Sequence, residues 1–470
     1  MLNTLNDVLN NVDNFIWGMP LIILILFTGI LLTVRLRGLQ IRHLGKALHY
    51  VFHNEDDGEG EVTSFGALCT ALSATIGTGN IVGCATAIVA GGPGALFWMW
   101  LAAFFGMATK YAEGMLAVKY RVIAEDGHTL GGPFYYIEKG MGKNFKWLAK
   151  LFCVFGTMVG LFGIGTFTQV NGITSAVNNF FDPSNVHTIS LFGMNYSISV
   201  VVAGIIVTIC AGLVIIGGIK RISKVSEVIV PFMAVTYIGV CLIIVFTHLP
   251  QVPAAFAEIV QSAFGLKAVA GGAIGAMTVA MQKGIARGIF SNEAGLGSAP
   301  IAAAAAQTNE PVRQGLVSMT GTFIDTIIVC TMTGLAIVMT GAWDMGLEGV
   351  AVTTKAFALG LPFPAKASAF VLMMCLVFFA FTTILGWAYY SERCLEYLVN
   401  GKKFVITAFK WFYILAVFIG PFMTVSAVWT IADIVNGLMA IPNLIALFLL
   451  SGKIVQLLRD YFSGNEYASF

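Results

Sequence analysis

Residues 73–83 read Ser73-Ala74-Thr75-Ile76-Gly77-Thr78-Gly79-Asn80-Ile81-Val82-Gly83, in the middle of an apolar stretch long enough to cross a bilayer. A helix in hydrocarbon satisfies its own backbone amides and carbonyls, because lipid offers no replacement partner. Gly77 and Gly79 are poor residues for the interior of such a helix. The run therefore favours a segment that unwinds within the membrane and offers backbone groups to a ligand. Close packing of two membrane helices at the glycines is the alternative interpretation.

The composition indicates whether the folded chain is surrounded by water or by lipid. Hydrophobic residues make up 57% of the sequence and charged residues 11%, whereas soluble domains carry about 25% charged residues. So few charges cannot cover a water-facing surface, and we expect a polytopic protein embedded in a lipid bilayer. The net charge of +2 gives no reason to expect a nucleic-acid partner. The eight cysteines lack the spacing of a metal site or a disulfide framework, and no cofactor is expected.

Eleven apolar stretches have about the ~20 residues that a membrane-spanning helix needs. The first, which we call the lead helix, is expected at 14–34. Ten core helices follow, near 63–90, 93–119, 148–178, 198–217, 225–247, 268–289, 314–341, 366–391, 404–422 and 431–451. The sixth is the least regular, because it carries Lys283 and Arg287. The sequence thus predicts an all-α membrane protein with about 11 transmembrane helices.

The basic residues give an orientation, since cytoplasmic loops carry an excess of Lys and Arg. With the N-terminus outside and the C-terminus in the cytoplasm, nearly all of the 26 basic residues fall on the inner side; the exceptions are Lys267, Lys355 and Lys366. This assignment counts Lys110, Lys283 and Arg287 as inner charges. The bias supports both the number of spans and their direction.

The ten core helices divide into two halves of five, and an odd number of spans inverts the second half relative to the first. The expected units are 1–61 (lead helix and linker), 62–250 (first repeat), 251–451 (second repeat) and 452–470 (tail). Core helix 6 contains Gly271-Gly272-Ala273-Ile274-Gly275-Ala276-Met277-Thr278, opposite the glycines of core helix 1. Glycine interruptions at corresponding positions of two inverted halves point to a transporter binding site.

Four stretches of the sequence, the first of them within residues 73–83, carry a family resemblance. They are Gly77-Thr78-Gly79-Asn80-Ile81-Val82-Gly83, Gly91-Gly92-Pro93-Gly94-Ala95-Leu96-Phe97-Trp98-Met99-Trp100, Gly131-Gly132-Pro133-Phe134-Tyr135-Tyr136 and Phe290-Ser291-Asn292-Glu293-Ala294-Gly295-Leu296-Gly297-Ser298-Ala299-Pro300. Together they resemble the bacterial and archaeal sodium:alanine symporters, also called the alanine or glycine:cation symporter family. The resemblance covers about residues 10–450. That family looks like the amino acid–polyamine–organocation superfamily, with the inverted five-helix repeats of the leucine-transporter fold.

The resemblance implies sodium-coupled uptake of small neutral amino acids, alanine or glycine, across the cell membrane of a prokaryote. An amino-acid zwitterion needs hydrogen-bond donors for its carboxylate and acceptors for its ammonium. Free amides at a half-helix N-terminus would hold the carboxylate, and unwound carbonyls near Gly271, Gly275 and Met277 would accept from the ammonium. The candidate substrate-binding residues are Thr75, Gly77, Thr78, Gly79, Asn80, Gln169, Gly275, Met277, Thr383 and Trp387.

The resemblance also implies a sodium site between core helices 1 and 8. The matching positions are the carbonyls of Ser73, Ile76 and Phe379 and the hydroxyls of Thr382 and Thr383. The alternative for the two threonines is a hydrogen bond to the preceding helical turn. A second sodium site of that fold would use Asn80, which alternatively braces the unwound segment.

Two polar side chains have a binding and a packing interpretation. Gln169 in core helix 3 contacts the substrate or makes an interhelical hydrogen bond, since a buried amide needs partners. Trp387 lies one turn after Thr383 on the same helix face. It limits the side-chain end of the pocket or packs in the core.

Asp325 is the carboxylate placed well inside a span, and intramembrane ionisable residues are functional candidates. It tunes cation binding, carries a proton, or is a neutral acid among Thr320, Thr322 and Thr326. A proton-coupled amino-acid transporter is therefore the alternative function.

Asp433 is expected to cap the last helix. A membrane-embedded enzyme is disfavoured because the six histidines are spread along the chain in or near loops, and no filter motif indicates a channel.

Overall fold

A computed structural model describes residues 2–53, 58–125, 127–191, 194–266, 272–423 and 426–464. The α-helices are α1 (Leu2–Ile16), α2 (Met19–Arg35), α3 (Leu39–Arg42), α4 (Leu44–Phe52), α5 (Ser64–Thr75), α6 (Cys84–Gly91), α7 (Gly94–Lys119), α8 (Pro133–Tyr135), α9 (Lys146–Phe162), α10 (Phe167–Phe181), α11 (Ile198–Ile215), α12 (Gly218–Thr247), α13 (Val252–Ala263), α14 (Ala273–Asn292), α15 (Ala299–Ala303), α16 (Pro311–Thr322), α17 (Thr331–Thr340), α18 (Val350–Gly360), α19 (Ala365–Leu398), α20 (Lys403–Ile419), α21 (Ser426–Leu449) and α22 (Ser451–Gly464).

Shorter elements join these helices. The π-helical segments are Gly79–Gly83, Tyr136–Met141 and Phe323–Cys330, and the 3₁₀ turns are Lys143–Phe145, Leu249–Gln251, Ala342–Asp344 and Gly420–Phe422. Strands β1 (Val122–Ile123) and β2 (Thr129–Leu130) pair antiparallel, with Val122 opposite Leu130. Strands β3 (Thr188–Leu191) and β4 (Met194–Ser197) also pair antiparallel, with Thr188 opposite Ser197. The protein is therefore a helical bundle with two small hairpins.

Eight helical segments in the described ranges are long and apolar enough to cross a membrane, and nine if the bent pair α5 and Gly79–Gly91 counts as one span. The predicted count of eleven is not confirmed. The two other expected spans, α7 and α14, have 26 and 20 residues but carry charges within their length. Neighbouring helices surround α7, and 19 of its side chains, Lys110 and Glu113 among them, are buried. A helix inside the bundle needs no apolar surface toward lipid, which accounts for its polarity.

Small residues allow α7 to pack closely against the helices around it. A Cβ at Gly284 of α14 would lie 2.2 Å from the Ala95 carbonyl oxygen, and one at Gly315 of α16 would lie 2.7 Å from the Tyr111 carbonyl oxygen. Membrane helices associate through such close van der Waals packing, because lipid tails are as apolar as the side chains. The centre of the bundle is therefore fixed by glycine contacts around α7.

Core helices 1 and 3 are interrupted. The predicted break in core helix 1 is confirmed, since α5 ends at Thr75 and the axis bends by 53° before the segment Gly79–Gly91. Core helix 3 is divided into α9 and α10 around 163–166, which the sequence analysis did not predict. The lead helix was expected at 14–34 but runs as α2 from Met19, where Pro20 in the first turn favours a helix start.

The break in core helix 6 lies elsewhere than predicted. Gly275 and Met277 belong to the continuous helix α14, and Gly271 lies outside the described residues. The backbone of this core helix leaves α14 only after Asn292, at 293–298, and α15 follows. The expected unwound carbonyls near Gly275 and Met277 are therefore wrong, because helix α14 uses them in its own hydrogen bonds.

The bundle has two ends, which we name by residues. The α1 face carries α1 and the start of α2; the Arg121 face carries residues 58–63 and 304–308, which precede core helix 1 and follow α15. Lys283 and Arg287 line a cavity with Asp13 and Trp17, so they belong to the α1 face. Their assignment to the inner loops with the other basic residues is therefore wrong, because they lie on α14 ahead of its break.

Backbone hydrogen bonds close the Arg121 face. Glu61 N and Val62 N donate to the Ala305 carbonyl (2.8 and 3.1 Å), and Gln307 N donates to the Val62 carbonyl (2.7 Å). The Arg121 guanidinium donates to the carbonyls of Ala304 (3.1 Å), Ala306 (2.7 Å), Thr308 (2.8 Å) and Glu59. One cation thus ties the beginning of core helix 1 to the end of core helix 6.

Arg121→Ala is expected to loosen this closure. A hydrogen bond to a charged group contributes about 1.5–3 kcal/mol, so the open population should rise roughly tenfold to hundredfold. The measurement is the rate at which an impermeant maleimide, added at the Arg121 face, labels the cysteine introduced by Ala303→Cys. The labelling of the parent protein without this substitution is subtracted. Arg42→Ala, which removes an exposed arginine on the short helix α3 that follows α2, is the control. Equal rates with and without Arg121 would contradict the role of this side chain.

Candidate functional site

The break in core helix 1 releases backbone groups from the helical hydrogen-bond pattern. In an α-helix the amide of Gly77 would donate to the carbonyl of Ser73, but here it donates to Asn80 Oδ1 (2.9 Å). The amide of Thr78 donates to Gln169 Oε1 on α10 (3.4 Å) instead of to its own helix. Buried backbone groups need partners, and side chains supply them for these two amides. Asn80 thus makes the bracing contact that was the alternative to a second sodium site, and its part in binding stays a prediction.

The carbonyl end of the break meets α19. Thr383 Oγ1 lies 3.4 Å from the Ile76 carbonyl and 3.0 Å from the Phe379 carbonyl. Thr382 Oγ1 also donates to the Phe379 carbonyl (3.0 Å), so both threonines make the hydrogen bond to the preceding turn. The structure thus brings together four of the five predicted sodium ligands, and all four are neutral oxygens. Ser73, the fifth, is buried one turn earlier in α5.

Gly386 explains why α5 and α19 approach so closely. A Cβ at this position would lie 2.7 Å from Ala74 Cβ and 2.8 Å from Ala74 N. Real Cβ atoms do not approach other atoms at such distances, so a larger residue would push the two helices apart. The spacing of the Ile76 carbonyl and the Thr383 hydroxyl therefore depends on this glycine.

Gly77 lies where three elements meet. A Cβ at this position would be 2.5 Å from Thr383 Oγ1 and 3.3 Å from Gln169 Oε1. The break in core helix 1, α10 and α19 thus converge on the backbone of one residue. Gln169 has the interhelical hydrogen bond of the packing interpretation, and its position beside Gly77 keeps it among the candidate binding residues.

The break in core helix 6 is built around Glu293. This residue adopts a left-handed backbone conformation (φ 55°), as do Gly295 (φ 90°) and Gly297 (φ 81°). The Glu293 carboxylate accepts from Trp387 Nε1 (2.9 Å) and from Ser298 Oγ (2.5 Å). The spacing Gly295-Leu296-Gly297 repeats the Gly-x-Gly of residues 77–79, and this was the signal in the sequence for the second break. Trp387 is fully buried against it.

A second carboxylate fixes the same break from α7. Glu113 Oε1 accepts from the amide of Gly295 (3.1 Å) and from Asn443 Nδ2 (2.7 Å), and Asn443 Nδ2 also donates to the Gly295 carbonyl (2.9 Å). Lys110, one turn before Glu113, is buried and within electrostatic range of Glu113, Glu293 and Asp325. Its assignment to an inner loop is therefore wrong, because the ammonium lies among buried carboxylates in the bundle.

Asp325 connects the two breaks. Its carboxylate accepts from Asn80 Nδ2 (2.7 Å) in core helix 1, from Ser291 Oγ (2.9 Å) at the end of α14 and from Thr326 Oγ1 (2.7 Å). Of the three threonines expected around a neutral acid, only Thr326 is described as a partner; the Thr320 hydroxyl donates to the Val317 carbonyl, and the Thr322 hydroxyl has no partner in the described residues. All three contacts on the carboxylate are donors.

The structure also places three other residues that the sequence analysis singled out. Thr75 bonds back to the Ala71 and Leu72 carbonyls (3.2 and 3.4 Å) and lines a small cavity with Lys110. Gly79 lies against Ser291, whose Cα would be 3.4 Å from an added Cβ. Asp433 lies inside α21, which begins at Ser426, so its predicted role as a helix cap is wrong.

Access to the first break comes from the α1 face. A cavity of about 340 Å³ is lined by Thr78 and Gly79 of the break, Asn171 of α10, Phe290 of α14 and Asp433 of α21. The opposite end is closed by the Arg121 contacts described above. A central site that opens to one side of a polytopic bundle and is closed at the other defines a membrane transport protein.

The comparison with known proteins agrees with this class. The sodium:alanine symporter family matches residues 2–468, and the chain belongs to that family. It is 56% identical over 461 residues to an uncharacterized transporter of Haemophilus influenzae, covering 98% of this chain and 96% of the relative. It is 46% identical over 457 residues to the sodium/alanine symporter AgcS of Methanococcus maripaludis, covering 96% of this chain and 95% of the relative. The resemblance found in the sequence is confirmed.

Two glycine variants separate the predicted break from the observed one. Gly77→Ala is expected to weaken alanine binding severely, because its Cβ would meet Thr383 Oγ1 at 2.5 Å. Gly275→Ala is the matched control: its Cβ has no atom within 4 Å, and alanine favours a helix interior by up to about 1 kcal/mol. The measurement is equilibrium binding of labelled alanine in sodium buffer. Lost binding in Gly275→Ala with normal binding in Gly77→Ala would reverse the assignment.

Proposed function

We propose that the protein is a sodium-coupled symporter that imports alanine, glycine or a similar small neutral amino acid by alternating access. The observation that carries this proposal is the convergence at Ile76 and Gly77. The carbonyl of Ile76 lies 3.4 Å from the Thr383 hydroxyl, and the amides of the next two residues, Gly77 and Thr78, donate to side chains instead of to their own helix. Oxygen ligands for a hard cation and donors for a carboxylate therefore occur on adjacent residues.

The substrate carboxylate is assigned to the amides of Gly77, Thr78 and Gly79. They precede the helical segment Gly79–Gly91, whose N-terminal dipole favours negative charge. To bind there, the carboxylate replaces the Asn80 oxygen at the Gly77 amide and the Gln169 oxygen at the Thr78 amide. The displaced Gln169 side chain then turns its NH2 group to the carboxylate and donates to it. The ammonium is assigned to acceptors on the second break, 293–298, in place of Gly275 and Met277. Trp387, held by Glu293, limits the room for the substrate side chain.

Sodium is assigned to the carbonyls of Ser73, Ile76 and Phe379 and the hydroxyls of Thr382 and Thr383. Neutral oxygens suit a monovalent cation that must leave again on the other side. The Ser73 carbonyl is available because Gly77 N donates to Asn80. Since the ion binds at Ile76 and the substrate at the adjacent Gly77, both order the same break, and binding of one is expected to raise the affinity for the other by the same factor.

The orientation follows from the remaining basic residues. We assign the α1 face to the outside and the Arg121 face to the cytoplasm of a prokaryotic cell. The structure described above then corresponds to an outward-facing form, open at Thr78 and Gly79 and closed by Arg121. Import requires the contacts between residues 58–63 and 304–308 to break while the α1 face closes.

Coupling to protons through Asp325 is the second candidate. It is favoured by the complete burial of this carboxylate between the two breaks. Against it stand the three hydrogen bonds that its carboxylate accepts from Asn80, Ser291 and Thr326, because hydrogen bonds donated to a carboxylate stabilise its ionised form. Asp325 is better suited to fix Asn80 and Ser291 and, through them, the relative position of the two breaks.

The coupling ion is tested by uptake of labelled alanine into proteoliposomes. An inward sodium gradient is expected to drive accumulation above equilibrium, and a proton gradient with potassium on both sides is not. The same gradients in protein-free liposomes provide the control for leakage. Accumulation driven by the proton gradient alone would reject the sodium proposal in favour of Asp325 as a proton carrier.

Thr383→Ala is expected to separate the ion from the substrate. Loss of one buried polar ligand costs about 1–3 kcal/mol, which corresponds to a sodium requirement higher by roughly tenfold to hundredfold. Alanine affinity should fall at low sodium and recover at high sodium, whereas Gln169→Ala should weaken alanine binding even at saturating sodium. The matched control is Thr354→Ala in α18, where the hydroxyl bonds to the Val350 carbonyl and to no other atom of the described residues. An unchanged sodium dependence in Thr383→Ala would remove the ion from this site.

A further inference from the structure

A second cavity lies on the α1 face, outside the break in core helix 1. It has a volume of about 280 Å³ and lies between the junction of α1 and α2, the second half of α14, and α21. Its lining includes Asp13 and Trp17 from the N-terminal helices, Lys283, Arg287 and Phe290 from α14, and Asp433 from α21. These residues are far from one another in sequence, so the cavity is a product of the tertiary fold.

Charges of both signs face this space. Asp13 and Asp433 are acidic, and Lys283 and Arg287 are basic. Among the described residues, none of these four forms an ion pair within 4.0 Å, although Arg287 lies within electrostatic range of both carboxylates. Asp13 Oδ1 is buried and has no hydrogen-bond partner in the described residues. The two carboxylates and the two cations thus line the cavity without pairing with one another. Each can still form an ion pair with a ligand.

The pattern of charges selects a class of ligand. A simple anion would use only the two cations and would be repelled by the carboxylates, and a simple cation would have the opposite problem. A zwitterionic amino acid suits the two cations and the two carboxylates together, because its carboxylate and its ammonium are attached to the same carbon. Arg287 offers a planar fork that matches a carboxylate. The rings of Trp17 and Phe290 leave an apolar wall for a small side chain.

The position of the cavity fits a step before the central site. It shares Arg287, Phe290 and Asp433 with the cavity of about 340 Å³ that reaches Thr78 and Gly79. The Arg287 guanidinium lies 5.5 Å from the centre of the Phe290 ring, so these two side chains separate the spaces together. A ligand that leaves the outer cavity past this pair arrives at the break in core helix 1.

We propose that this outer cavity is a second amino-acid binding site, in which Arg287 holds the carboxylate of a zwitterion and Asp433 holds its ammonium. Lys283 and Asp13 provide a second pair of opposite charges nearer to the N-terminal helices. This proposal rests on the proposed function, since it takes the same class of substrate as the central site. It assigns a binding role to the two basic residues that make core helix 6 irregular in sequence.

The test is the number of alanine molecules bound per chain, measured with labelled L-alanine at equilibrium in sodium buffer on the full chain in detergent. Wild type is expected to bind two. Gly77→Ala, which blocks the central site, and Arg287→Gln, which removes the outer carboxylate partner, are each expected to bind one, and the double variant none. Arg287→Lys should keep part of the outer binding, because it retains the charge without the fork.

The outcomes are distinguishable. One alanine per chain in wild type, unchanged by Arg287→Gln, would overturn the outer site while leaving the proposed function intact; this includes the case in which Arg287 and Asp433 act only as a gate. No alanine bound by wild type in sodium would instead reject the proposed function.

The single alanine retained by Arg287→Gln is the check on folding. If that variant binds none, Asp433→Asn replaces it, and two alanines bound by Asp433→Asn would overturn the proposal.

Discussion

The need to satisfy backbone hydrogen bonds in hydrocarbon is the constraint on which the rest of this structure depends. A break at Gly77 leaves amides and carbonyls without their helical partners, and lipid supplies none. Asn80 and Gln169 therefore accept from the freed amides, and the Thr383 hydroxyl lies against the freed Ile76 carbonyl. The groups that stabilise the break are the same groups that a substrate or an ion must engage.

This arrangement links elements that are distant in sequence. Asn80 holds Gly77 with its oxygen and Asp325 with its nitrogen, and Asp325 in turn holds Ser291 beside the second break. Glu293 and Glu113 extend the chain of contacts to Trp387 on α19 and Asn443 on α21. A ligand that displaces the partner of the Gly77 amide acts on the hydrogen bonds that join Asn80, Asp325 and Ser291. The structure thus offers a physical path between the occupancy of the site and the packing of the bundle.

Local signals in the sequence were enough to predict the first break and most of its partners. Gly77 and Gly79 are intrinsically poor in a helix, and Asn80 is close enough in sequence to brace Gly77, as its side chain does. The pairing of Ile76 with Thr383, 307 positions apart, came from the family resemblance, because no local pattern joins core helices 1 and 8.

Predictions that depended on tertiary surroundings failed for a common reason. The glycines near Gly275 looked like a break, but α14 continues through them, and the break follows at Glu293. Lys110, Lys283 and Arg287 were counted as loop charges because a charge in an apolar stretch has no visible partner in sequence. In the fold they face buried carboxylates or a cavity. The division of core helix 3 around 163–166 was missed although Gly163-Ile164-Gly165 repeats the Gly-x-Gly spacing of residues 77–79, because the stretch 148–178 was interpreted as one apolar span.

The central claim is that sodium and the amino acid share the break at Ile76 and Gly77. Its most direct test is the dissociation constant of alanine, measured at equilibrium over a range of sodium concentrations at constant ionic strength, with potassium as the replacement ion. The account predicts that the dissociation constant falls as sodium rises and reaches a plateau once the ion site is saturated. A dissociation constant that is the same in sodium and in potassium would contradict it.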